Sequence, residues 1–95
     1  MGGENRRDSR ETERVRVTVT GTDLKGASFE EQTESIELSA VGMSFHLKTA
    51  IGARTVLGIE AADSRILGHV GKIRAVVVRT ETSSSEKRFV AAQFI

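Results

Sequence analysis

Arg14-Val15-Arg16-Val17-Thr18-Val19-Thr20 alternates polar and apolar residues at every step. A period of two marks a β-strand with one buried face, because successive side chains point to opposite sides of a sheet. The valines form the core-facing row. The arginines and threonines form the row that meets water. β-Branched residues also pack well on a pleated surface. The next six residues, Gly21-Thr22-Asp23-Leu24-Lys25-Gly26, place an Asp and two glycines together and predict a turn.

Working downstream, the chain is extended again from Ala27 through Phe29, Ile36 and Leu38, with polar residues over much of its length. This predicts a long, exposed second strand, interrupted at Ser39-Ala40-Val41-Gly42. Met43, Phe45 and Leu47 alternate with Ser44, His46 and Lys48 to give a third. Gly52 marks a turn, and Val56, Leu57 and Ile59 a fourth strand. Between Ala61 and Gly71, Ile66, Leu67 and Val70 suit either a short strand or a turn of helix. Lys72 to Thr80 is the strongest strand signal, a β-branched run centred on Val76, Val77 and Val78. Residues Thr82 to Glu86 read as a hairpin loop, and Phe89 to Ile95 as the last strand. Some six short strands without an amphipathic helix predict an all-β antiparallel barrel or sandwich.

Upstream of Arg14 there is no apolar residue after Met1, so residues 1–13 cannot bury themselves. The expected organisation is a flexible N-terminal arm, 1–13, and a barrel domain, 14–95. The whole chain has 95 residues and is 38% hydrophobic, enough for one core and not two. With four Phe and neither Trp nor Tyr, that core is expected to be aliphatic.

Several function classes fall away. The absence of Cys excludes disulfides and thiolate chemistry. No apolar run is long enough to span a bilayer, and the polar N-terminus lacks the apolar stretch of a signal peptide. A cytoplasmic protein without membrane insertion is expected. Net charge is +1, and the arginines of the arm interleave with Glu4, Asp8, Glu11 and Glu13. A single-strand nucleic-acid barrel wants a basic groove with exposed aromatics, so nucleic acid is not expected as a partner. His46 and His69 lack the spacing of metal ligands, and no metal or cofactor is expected. Ser39 has no neighbouring base and no nucleophile elbow. Glu30, Glu31, Glu34 and Glu37 read as a solvated strand face. No set of catalytic residues emerges, so a non-enzyme is expected.

Two features remain. Arg6-Arg7-Asp8-Ser9-Arg10 places two arginines four apart just before the first strand. Glu37-Leu38-Ser39-Ala40-Val41-Gly42 places an acid, a serine and a glycine at the end of the second. In that order, the pair resembles the PilZ family, whose motif is Arg-x-x-x-Arg followed by Asp/Asn-x-Ser-x-x-Gly. The resemblance extends through Gly21-Thr22-Asp23 to Thr33 and to the closing segment Phe89 to Ile95. It implies a six-stranded PilZ-type β-barrel and binding of cyclic di-GMP through Arg6, Arg7, Arg10, Glu37, Ser39 and Gly42. The residue types suit that ligand. A guanidinium fork matches phosphate oxygens and the O6/N7 edge of guanine, and it stacks on bases. A carboxylate accepts from guanine N–H groups, and a hydroxyl both donates and accepts. The resemblance further implies a downstream protein that reads the bound state. Glu37 departs from the Asp/Asn of the family by one methylene, and Val41 stands where a glycine is common. These departures leave a second reading, a PilZ protein-interaction adaptor that does not bind the nucleotide.

Overall fold

The alternating stretches become strands in a computed structural model, which describes residues 14–61, 72–82 and 86–95. Strands β1 (Arg16–Thr22), β2 (Ser28–Leu38), β3 (Gly42–Leu47), β4 (Val56–Ala61), β5 (Lys72–Thr82) and β6 (Arg88–Phe94) follow in chain order. All their pairings are antiparallel, and they close into a barrel in the order β1-β2-β3-β6-β5-β4. Closure gives each of the described strands two neighbours, which shortens the open edges that could recruit another chain. The all-β antiparallel barrel expected from the sequence is the one that forms. β5 runs further than expected, to Thr82, because it stays paired with β6 as far as Thr82 opposite Arg88. The arm, 1–13, the stretch 62–71 with His69, and the tip of the expected hairpin loop at 83–85 lie outside the described residues.

The barrel interior is filled by Val17, Val19, Phe45, Leu47, Leu57, Ile59, Val77 and Val90, none more than 1% exposed. Phe45 is the one fully buried aromatic among the described residues, and the rest of the core is aliphatic as composition requires. Gly21 sits within β1 where a Cβ would press on the Leu57 and Phe29 side chains. A glycine there lets the two strands close over the core.

Two bulges break the alternation. On β2, Ser35 pairs with Phe45 and Glu37 with Ser44, so Ile36 is an extra residue. On β5, Val77 pairs with Ala92 and Arg79 with Ala91, so Val78 is extra. Each insertion resets which side chains face inward. Ser35 and Leu38 are both buried, although a regular strand would put them on opposite faces. Val78 is 53% exposed beside a buried Val77, so the run of three valines is not a buried strand throughout.

The connections are fixed by side chains. The Asp23 carboxylate accepts from the Lys25 and Ala27 amides (2.8 and 2.9 Å), and Gly26 supplies φ 85°. This is the predicted turn, with Asp holding the backbone and Gly taking the left-handed conformation. Glu31 accepts from the Lys48 and Thr49 amides (2.7 and 3.1 Å) and from the Thr49 hydroxyl (2.8 Å). It ties the segment after β3 to β2, whereas the sequence suggested a solvated charge. Upstream of β1, the Val15 amide donates to Ser35 Oγ at 2.9 Å and the Ser35 amide to the Val15 carbonyl at 2.8 Å.

Ser35 is fully buried, so replacing it strands a buried donor. Ser35→Ala is expected to lower the unfolding free energy by about 1–3 kcal/mol in urea titration, with faster hydrogen exchange at the Val15 amide.

Candidate functional site

Glu37, Ser39 and Gly42 occupy the end of β2, the following turn and the start of β3. The bulge at Ile36 decides their usefulness. Without it Glu37 would share the inward face of Ser35; with it, Glu37 is exposed on the outside of the barrel. The turn is tight: the Ser39 amide donates to the Gly42 carbonyl at 2.9 Å. Ser39 Oγ accepts from the Val41 amide at 3.3 Å and lies 3.5 Å from the Gly42 carbonyl oxygen. Both contacts are long for hydrogen bonds. The hydroxyl shapes the turn weakly and retains capacity for a stronger partner.

Gly42 has a packing reason of its own. A Cβ there would fall inside the van der Waals surface of the Ala92 carbonyl oxygen on β6. Its backbone φ is not in the left-handed region. The missing side chain therefore serves the approach of β3 to β6, in addition to any room it leaves for a ligand.

Together these residues line a groove of about 410 Å³ on the barrel exterior. That volume falls within the range of small-molecule sites, roughly 300–1,000 Å³. Its other walls come from Val41, Ser44, Val78, Ala91 and Gln93. Val41 and Val78 are exposed apolar side chains at 67% and 53%. The groove thus pairs apolar walls with a carboxylate, two hydroxyls and an amide. Arg79, next to Val78 and opposite Ala91, places its guanidinium 5.4 Å from the centroid of the Phe89 ring and 3.2 Å from Glu81. His46 meets the other side of that row, edge-on to Phe89 with ring centroids 6.1 Å apart.

The structure therefore brings Glu37, Ser39 and Gly42 into one groove, while Arg6, Arg7 and Arg10 lie outside the described residues. Arg14 precedes the Val15–Ser35 pairing, and Ser35 lies two residues along β2 from Glu37. The sequence pointed to Val78, Ala91 and Gln93 only as strand residues, not as walls of a groove. They lie well beyond the motif in the chain, and only barrel closure brings β5 and β6 round to β3 and the end of β2. A second hollow of about 250 Å³ involves Arg14, Glu31, His46, Lys48 and Lys87. Its Glu31 carboxylate already holds the Lys48 and Thr49 backbone, so it is the weaker candidate. Among the described residues, no group of three or more His, Asp or Glu side chains converges as a metal site requires.

No protein-family model matches the chain, and neither does any curated protein. Among solved structures, the fold is similar to that of the Bacillus subtilis inhibitor of motility, MotI/DgrA, with a TM-score of 0.63 and 21% identity. The similarity covers 95% of this chain and 42% of that one, so this chain spans less than half of its structural neighbour. With the closed six-strand order, the likeness shows a PilZ-type barrel.

The close β3–β6 approach makes a direct prediction. Gly42→Ala is expected to destabilise the domain by about 1–3 kcal/mol in thermal or urea unfolding, through forced displacement of the Ala92 backbone.

Proposed function

We propose that this chain is a cyclic di-GMP receptor domain, in which the groove beside Glu37, Ser39 and Gly42 seats the nucleotide and the N-terminal arginines close over it. The observation that carries the reading is the convergence of those three motif residues on one exterior groove of a PilZ-type barrel. The apolar walls at Val41 and Val78 suit the face of a purine. Glu37 suits its N–H edge, as a carboxylate accepts from guanine N1–H and N2–H₂. Phosphates call for guanidinium partners, which Arg6, Arg7 and Arg10 supply.

Reach supports this division of labour. Arg10 stands four positions before Arg14, a reach of at most about 13–14 Å. The chain joins the barrel beside Ser35, close to Glu37 along β2. Ligand binding then draws the arm against the barrel, and the changed surface is read by a partner protein. The structural neighbour, an inhibitor of motility, fits an output made through another protein.

Glu37 favours a second reading, a protein-interaction adaptor on the same barrel that does not bind the nucleotide. Its extra methylene carries the carboxylate about 1.5 Å beyond an aspartate position. The exposed Val41 and Val78 would then contact a protein.

Calorimetry separates the two. On the receptor reading, wild type binds cyclic di-GMP, and Arg6→Ala and Arg10→Ala each abolish the heat. Unchanged affinity in both variants discards the mechanism. No heat from wild type, and no amide shifts at residues 37–42 at high ligand, supports the adaptor. Glu37→Asp is expected to tighten binding by about one to two decades, by restoring a charge-assisted hydrogen bond of roughly 1.5–3 kcal/mol. Cyclic di-AMP should compete poorly, because adenine offers Glu37 an acceptor where guanine offers N1–H.

A further inference from the structure

Ser44 places a hydroxyl in the lining of the groove. It lies on β3 between Glu37 of β2 and Ala91 of β6, its register partners, and all three line the groove. It is 6% exposed, and its Oγ has no hydrogen-bond partner among the described residues. Buried hydroxyls are ordinarily paired, since an unmet one loses its water without replacement. Two nearby hydroxyls on β2 follow that rule: Thr33 donates to the His46 carbonyl at 2.7 Å, and Ser35 accepts from Val15 at 2.9 Å. An alanine at position 44 would fill nearly the same space without stranding an oxygen.

We propose that Ser44 is a ligand-contacting residue of the groove, its hydroxyl engaging a ring nitrogen or exocyclic group of a purine seated flat on Ala91. The inference rests on the receptor reading above and adds to it a contact from the groove floor. A hydroxyl both donates and accepts, so it takes either polarity at the base edge. Its depth sets a shape requirement. The ligand must settle between Val41 and Val78, and the buried hydroxyl must turn toward it, for the contact to form. A ligand held by its phosphates alone would never touch it.

The hydroxyl therefore has opposite effects in the free and bound states. Ser44→Ala removes an unpaired oxygen from the free protein and a hydrogen bond from the complex. In full-length protein, the variant is expected to melt at the wild-type temperature or above it without ligand. Its affinity for cyclic di-GMP by calorimetry should fall about tenfold. Wild-type binding with unchanged affinity in Ser44→Ala overturns this inference and leaves the receptor reading standing. A variant that melts several degrees lower, or does not fold, shows that the hydroxyl serves the barrel, and it also overturns the inference. Absence of saturable binding by wild type overturns both.

Discussion

The structure depends on a parity constraint. Side chains alternate strictly along a strand, and a closed barrel has only one inside, so each strand must keep its apolar residues in phase with the core. β1 meets the constraint by simple alternation. β2 and β5 cannot, because each is eleven residues long and has to serve the interior at one end and the exterior groove at the other. Each meets it with one inserted residue, Ile36 and Val78. The bulges lie on the two strands that flank the β3–β6 pair, and the groove lies across that pair. On this barrel, the phase breaks that permit a continuous core also turn Glu37 and Arg79 outward on either side of the β3–β6 pair.

Between those bulges the packing is close. Gly42 has no room for a side chain against Ala92, and Ser44 and Ala91 next to it are small. Small residues keep the floor low, while the exposed valines raise the walls. The same compactness that holds β3 to β6 therefore produces concavity without any loop insertion. Beyond the groove, Phe89, His46 and Arg79 form a row of ring and guanidinium contacts across β3, β6 and β5, which gives the outer face its own packing.

Much of the barrel was legible in the sequence because alternation is a local signal. Val15, Val17 and Val19 announce β1, and Met43, Phe45 and Leu47 announce β3; all six are buried. The Asp23 and Gly26 turn was legible for the same reason, as its chemistry lies within five residues. What escaped was non-local. The bulges cannot be read from either strand alone, since an extra residue is defined by its partner strand. Glu31 looked like surface charge because the Lys48 and Thr49 amides it satisfies belong to another segment. Ser44 looked like an ordinary outward residue because its burial comes from neighbours on both sides. At the site, the glutamate, serine and glycine could be picked out by order and spacing, whereas the β5 and β6 walls came only with closure.

The Val15–Ser35 linkage has a mechanical consequence. Anything upstream of Arg14 is attached to the barrel through that pair, in which each residue both gives and receives a hydrogen bond. Tension on the upstream chain is borne first there and passes into β2 just ahead of the kink at Ile36. Pulling on the N-terminal attachment would thus load the short span of backbone that leads into the groove.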